Sequence, residues 1–305
     1  MIRIMSCTNP KMGILRINED GSRKLLFKSS LIGSMSYAQA QHLYGSDKVV
    51  LVPCGKCPSC QMSKRREWAV RCACESKYHL YNCFVTLTYD EEHCPRFLRK
   101  SDLQEFFKKL RNKGYKFRYF ACGEYGSEAH SHRPHYHVCL FGFMPSDMKY
   151  FGKSKSGQAM YESMELSDLW AKGFVVVNHF DPAAAGYVAG YTTKKIGDRE
   201  GFIIMSKRPG IGYQYANDKM DSLVTYDVIT DSLGGYHISN VPRYFSKLAE
   251  KKDIDLTQIK AKRVEKSHSA LMDVITSHGL KSYEEGFQFG REDAKNRFER
   301  LKRGL

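Results

Sequence analysis

The sequence predicts an α+β fold, an antiparallel sheet with helices packed on one face. Three observations carry that expectation. Short runs of β-branched and aromatic residues alternate with longer runs of helical period, in the order β-α-β-β-α-β. Two of the strand runs follow one another with no helical run between them, as a hairpin requires. At 305 residues, 42% hydrophobic and 27% charged, the chain has ample material for a core.

FVTLTY (84–89) sets Val85 and Leu87 against Thr86 and Thr88, the alternation of a strand. In SDLQEFFKKLRNKG, Ser101 and Gln104 make a capping box, Leu103, Phe106, Phe107 and Leu110 form one helical stripe, and Gly114 ends it. KFRYFAC (116–122) and HYHVCLFGF (135–143) read as strands, YESMELSDLWAKG (161–173) as a helix with a glycine stop, and FVVVNHF (174–180) as a strand. DPAAAGYVAGYTTKKIG reads as one more helix, with Asp181 as N-cap, Pro182 in first position and Gly197 closing it. The first six elements are the ferredoxin-like, split-βαβ arrangement.

The flanks divide the chain further. Residues 1–50 have little periodicity and read as an irregular or partly ordered arm, followed over 53–79 by a segment rich in Cys and Arg that ends in a helix. The organisation expected is an arm and Cys-rich segment over 1–80, a core over 81–200, an accessory segment over 201–250 and a charged helical tail over 251–305.

A net charge of +15 and a pI near 9.3 favour a polyanionic partner, nucleic acid being the commonest and anionic lipid another. The first residues lack the apolar centre of a signal peptide, and no run approaches the roughly 18 apolar residues of a membrane span. No membrane partner is expected, and ten cysteines in such a chain read as reduced thiols or metal ligands.

On a strand, His135 and His137 point to the same side, a spacing that lets two imidazoles bind one ion. Pro134 marks the strand's start. Glu124 closes the preceding strand and, across a hairpin, reaches the same place. Two imidazoles and a carboxylate leave open positions for water and substrate, a set that also suits non-haem iron oxygenases and zinc hydrolases. On the last helix Tyr187 and Tyr191 stand four apart and project together, with Lys194 a turn beyond and Lys195 beside it. Tyrosines at this spacing also describe a packed core stripe. Gly186 and Gly190 beside them suggest close approach of another backbone, the sheet or DNA. The parts fit one reaction: a phenol attacks phosphorus when a metal ion and a lysine polarise the phosphodiester.

FVTLTYD (84–90), RPHYHVCLFG (133–142) and GYVAGYTTKK (186–195) resemble, in order, the three motifs of the HUH endonuclease superfamily. PCGKCPSCQMSKRREWAVRC, CGEYG, MSKRPGIG and VPRYFSKL extend the likeness, over about 53–248, to the replication-initiation family of gokushovirus-type microviruses, small single-stranded DNA phages. The resemblance implies His135, His137 and Glu124 as ligands of Mg²⁺ or Mn²⁺, and Tyr187 and Tyr191 as nucleophiles. Lys194, Lys195 and Arg133 would contact single-stranded phage origin DNA. It also implies a 5′-phosphotyrosine link, a 3′-OH that primes host DNA polymerase, and work in the host bacterial cytoplasm. No GxxxxGK[ST] occurs, so a host helicase would unwind the duplex. A plasmid relaxase or transposase of the superfamily, and a non-catalytic basic protein that binds single strands, are the rival readings.

Cys54, Cys57 and Cys60, with Cys72 and Cys74 further on, have the spacing of a structural zinc site, with Cys72 as the fourth ligand. The alternative is a reduced thiol cluster buried beside Trp68.

Overall fold

The computed structural model describes residues 7, 10–27, 35, 37–45, 48–126, 132–154, 157–191, 195–196, 199–223, 228–232, 235–239 and 241–303. The chain is mixed α+β and divides into two compact units, Met1–Met62 with Ala261–Leu305, and Ser63–Lys260.

The first unit opens with β1 (Lys11–Ile17), β2 (Arg23–Leu26), α1 (Tyr37–Tyr44) and β3 (Val49–Val52). The three strands form an antiparallel sheet in the order β2-β1-β3. An ordered sheet thus replaces the irregular arm expected over 1–50. Its periodicity escapes notice because little of it is covered: in β1 only Gly13 is buried, and Ile17 and Phe27 are exposed. Helix α2 (Pro58–Ser76) follows.

The second unit is built on a seven-stranded sheet. In chain order come β4 (Asn82–Tyr89), α3 (Lys100–Asn112), β5 (Arg118–Tyr125), β6 (Pro134–Phe141), β7 (Lys149–Lys153), β8 (Ala159–Glu162), α4 (Met164–Trp170), β9 (Gly173–His179) and α5 (Pro182–Tyr191). Short strands β10 (Lys195–Ile196) and β11 (Arg199–Glu200) pair with each other, and β12 (Phe202–Met205) joins the main sheet. Helices α6 (Tyr213–Asp218) and α7 (Met220–Leu223), the hairpin β13 (Val228–Ser232) and β14 (Gly235–Ser239), and α8 (Arg243–Glu250) complete the series. The main sheet runs β12-β5-β6-β4-β9-β8-β7, antiparallel throughout.

Alternation along the strands gives the sheet two different faces. Val85 and Leu87 of β4, Val138 and Leu140 of β6, and Val177 of β9 pack beneath Leu103, Phe106, Phe107 and Leu110 of α3 and Leu166 and Trp170 of α4. On the opposite face Phe120, Cys122, Cys139 and Phe141 meet Trp68 and Cys72 of α2 and Ala185, Val188 and Ala189 of α5. The expectation of helices on one face is corrected here. The centre of β5 and β6 is apolar at every position, odd and even, so both faces need cover.

The start of α3 also differs from expectation. Its N-cap is Arg99 and no side chain caps it, so Ser101 and Gln104 form no capping box. Instead the Tyr89 hydroxyl donates to Asp102 Oδ2 at 2.6 Å and lies 2.6 Å from the Tyr136 hydroxyl, which donates to the Arg99 carbonyl at 2.8 Å. Sheet phenols thus anchor the helix start. At β9, Gly173 adopts φ +140°, and a Cβ there would lie 2.3 Å from the Asp90 nitrogen and 2.4 Å from the Thr88 carbonyl oxygen. Only glycine lets β9 enter so close to the end of β4.

Helix α5 ends at Tyr191, short of the Gly197 expected, and Lys195 lies on β10. The consecutive β-branched Thr192 and Thr193 are poor helix formers, which accounts for the early end. Two long helices, α9 (Thr257–Ser277) and α10 (Tyr283–Arg303), close the chain. Within the first unit they pack where Gly286 leaves room for Leu271 and Ile275. Among the described residues no helix is long and apolar enough to cross a membrane.

Candidate metal centre and tyrosine helix

Strand register brings the candidate ligands together. Glu124 on β5 stands directly opposite His135 on β6, and Cys122 opposite His137. The pleat turns Glu124, His135 and His137 to the face covered by α2 and α5, away from α3 and α4. His135 Nε2 lies 2.7 Å and His137 Nε2 2.9 Å from the same oxygen, Glu124 Oε1. Glu124 and His137 are buried and His135 is half-buried.

Each imidazole is fixed by its other nitrogen. His135 Nδ1 lies 3.1 Å from the Arg133 carbonyl oxygen, and His137 Nδ1 lies 3.1 Å from Thr86 Oγ1 on β4. Phe84 stacks on the His137 ring, centroids 5.5 Å apart. A carbonyl only accepts, so His135 Nδ1 carries hydrogen and Nε2 is left for a ligand or a second proton. Such outer partners set the tautomer and ring orientation of metal-binding histidines.

The charges follow from these contacts. Burial alone would raise the Glu124 carboxyl, but hydrogen bonds from His135 and His137 and their charge outweigh it and hold it below 4.5. Burial lowers His135, yet its hydrogen bond to Glu124 and that carboxylate's charge raise it above 6.5. His137, more deeply buried, is held below 6.5 by that burial. At neutral pH the centre is a carboxylate with at least one neutral imidazole, a set of oxygen and nitrogen donors close enough to hold one cation.

Helix α5 packs against β5 and β6 on this face. Tyr187 and Tyr191 lie on it, four positions apart, with side chains outside the described residues. Lys194 lies outside them too, as does the Lys195 side chain. Arg133 is described: its guanidinium donates to the Tyr89 carbonyl at 2.9 Å and lies 3.7 Å from Glu91. The close neighbour of Gly186 is neither sheet nor DNA but α2. A Cβ at Gly186 would meet Ala69 Cβ at 3.5 Å, and Arg65 donates to the Gly186 carbonyl at 3.3 Å. Arg65 and Thr86 carry no signal at sequence level, since both act through tertiary contacts.

Among the cysteines, Cys54, Cys57 and Cys60 do come together, but with Cys7 and not Cys72. Cys60 and Cys72 share helix α2, and their 12-residue separation puts them about 18 Å apart. Cys72 is instead fully buried among the apolar residues of the second sheet face, where burial holds its thiol well above the ordinary value.

Against known proteins, residues 82–196 match the family model for the replication-associated protein ORF2. That span runs from β4 through α5 and so contains the whole candidate centre. The chain is 31% identical over 260 residues to the replication-associated protein ORF2 of Spiroplasma virus 4, covering 76% of this chain and 79% of that protein. The replication-associated protein VP4 of Bdellovibrio phage phiMH2K is 36% identical over 154 residues, 47% of this chain and 48% of that protein. The replication-associated protein ORF4 of Chlamydia phage 1 is 31% identical over 154 residues, 47% of this chain and 38% of that one. No solved structure matches significantly. The chain belongs to this family of phage replication-associated proteins.

Proposed function

We propose that the protein initiates rolling-circle replication of a single-stranded DNA phage genome by nicking origin DNA and joining itself to the cut strand. One observation carries the reading: His135 and His137 converge on Glu124 on the sheet face covered by the helix of Tyr187 and Tyr191. The order β9-β4-β6-β5 within the sheet is what a split βαβ pair produces, which supports a ferredoxin-like core of the HUH type over 81–200. Residues 201–250 are then accessory to it.

Glu124, His135 and His137 would hold Mg²⁺ or Mn²⁺, and their oxygen and nitrogen donors fit either ion. Bound there, the ion polarises the scissile phosphodiester and offsets charge building on its oxygens. The phenol oxygen of one tyrosine bonds to phosphorus as the bond from phosphorus to the 3′ oxygen breaks. The phenol gives up its proton, the leaving oxygen takes one up, and a 5′-phosphotyrosine and a free 3′-OH result. The phosphodiester energy is conserved in that link, so the second tyrosine can repeat the exchange and close a displaced strand. Lys194, Lys195 and Arg133 would steady the DNA backbone, while host DNA polymerase extends the 3′ end and a host helicase opens the duplex.

The test incubates full-length protein with labelled single-stranded origin DNA and Mn²⁺. A denaturation-resistant protein–DNA adduct is expected from wild type and not from Tyr187→Phe, Tyr191→Phe. An adduct that survives in the double variant overturns the nucleophiles. Binding by wild type without any adduct turns the reading to a non-catalytic single-strand binder.

A further inference from the structure

We propose that Cys7, Cys54, Cys57 and Cys60 bind one structural zinc ion, a site separate from the metal centre of the sheet. The four sulfurs lie within 4.8 Å of one another. Those of Cys7 and Cys57 are 3.8 Å apart. A tetrahedron whose corners lie about 2.3 Å from its centre, the zinc–thiolate length, has edges of about 3.8 Å. A disulfide needs about 2.0 Å, and none of the ten cysteines is in one.

The backbone around the sulfurs suits thiolates. Cys54 N–H donates to Cys7 Sγ at 3.1 Å, and Lys56 and Cys57 N–H donate to Cys54 Sγ at 3.5 and 3.3 Å. Gly55, at φ +75°, turns the chain so that both of the latter point back at one sulfur. Cys60 sits in the first turn of α2, where unpaired N–H groups and the helix dipole favour negative charge. A thiol cluster packed only as a hydrophobe has no need of these donors.

The surrounding segment also lacks another means of holding together. Over 1–62 the buried described residues are Cys7, Gly13, Ala40, Val49 and Ser59, too few for an apolar core. Small units of this kind commonly rely on a metal or a disulfide. Zinc ties residue 7 to residues 54–60, closing the chain that carries β1, β2 and β3. Four sulfur ligands in a tetrahedron select zinc or iron, and with no open position the ion is structural rather than catalytic. The site stands whether or not the nicking reaction does.

Metal content of the full-length chain, purified from zinc-supplemented medium, tests the site. One zinc per chain is expected in wild type, in Cys72→Ser and in the double variant His135→Ala, His137→Ala, with loss in Cys7→Ser. Replacement by Co²⁺ in wild type should give the intense charge-transfer absorption of four thiolates, a readout that stands even if Cys7→Ser fails to fold. Absence of zinc, iron in its place, loss in Cys72→Ser, loss in the histidine double variant, or a cobalt spectrum with fewer thiolates would each overturn the proposal.

Discussion

His137 reaches Glu124 with one nitrogen and Thr86 with the other, so a single hydroxyl decides how one candidate ligand faces its ion. Thr86→Val keeps the shape and removes that partner. Outer partners of this kind are worth about 10–100-fold in metal affinity. Half-saturation of adduct formation by Mn²⁺ should therefore rise by about that factor, with DNA binding unchanged; an unchanged Mn²⁺ curve would remove Thr86 from the centre. The proton on His135 competes with the ion. Because its pKa is raised above 6.5, the competing proton is bound below that raised value and lost above it. At pH 6 more Mn²⁺ should be needed than at pH 8, and equal titrations at the two pH values would contradict the proton's role. Much of this centre is legible in the sequence, because a period of two aligns His135 with His137 and a hairpin returns Glu124 to them. Thr86 is not, since it depends on the register of β4 with β6, 51 residues on. Cys7 is hidden for the same reason: spacing shows the local cysteine run, while the fourth sulfur lies 47 residues before Cys54.

Among the elements, α2 ties most parts of the second unit together. Near its end Glu75 accepts from the Gly212 N–H at 2.6 Å and from Arg118 of β5, and lies 3.3 Å from His79. Arg71 donates to the Ile211 carbonyl at 3.1 Å and lies between the rings of Trp68 and Tyr244, 4.1 and 4.2 Å from their centroids. Burial would raise the Glu75 carboxyl, but its hydrogen bonds to His79, Gly212 and Arg118 and the Arg118 charge hold it below 4.5. Its folded pKa lies below the unfolded one, so its stabilisation is complete above 4.5 and is lost as pH falls through the depressed folded value. Glu75→Gln should destabilise the protein by about 3 kcal/mol at pH 7 and flatten the acid limb of stability. Urea unfolding at several pH values checks both, and an acid limb as steep as wild type would refute the assignment. The alternation and stripe of β4, α3, β5, β6, α4 and β9 are visible in sequence because each has one face in a core. The short pair β7 and β8 is mostly exposed or half-buried and so carries no such pattern. The cover on the second face comes from α2, which precedes the core in sequence, so the β-α-β-β-α-β order could not announce it.

For the molecule as a whole, charge is the property that reaches furthest. At +15 the protein should bind single-stranded DNA mainly through phosphates, releasing counterions as it does so. The logarithm of the binding constant should fall linearly with that of salt, with a slope of about −0.7 per phosphate neutralised. Fluorescence anisotropy from low to high salt measures it, and affinity indifferent to salt would argue against a phosphate-led interface. Substituting His135 or His137 by Ala should leave that slope untouched while abolishing metal-dependent cleavage. The two-faced sheet has a consequence for inheritance. In β4 and β6 neighbouring residues answer to different demands, Val85, Leu87, Val138 and Leu140 to packing and Thr86, His135 and His137 to the metal centre. Point substitutions can therefore drift on the packing side while the reaction side stays fixed. An insertion or deletion of a single residue within β6 exchanges the two sides at once, so descendants of this protein should differ freely in letters along that strand and hardly ever in its length.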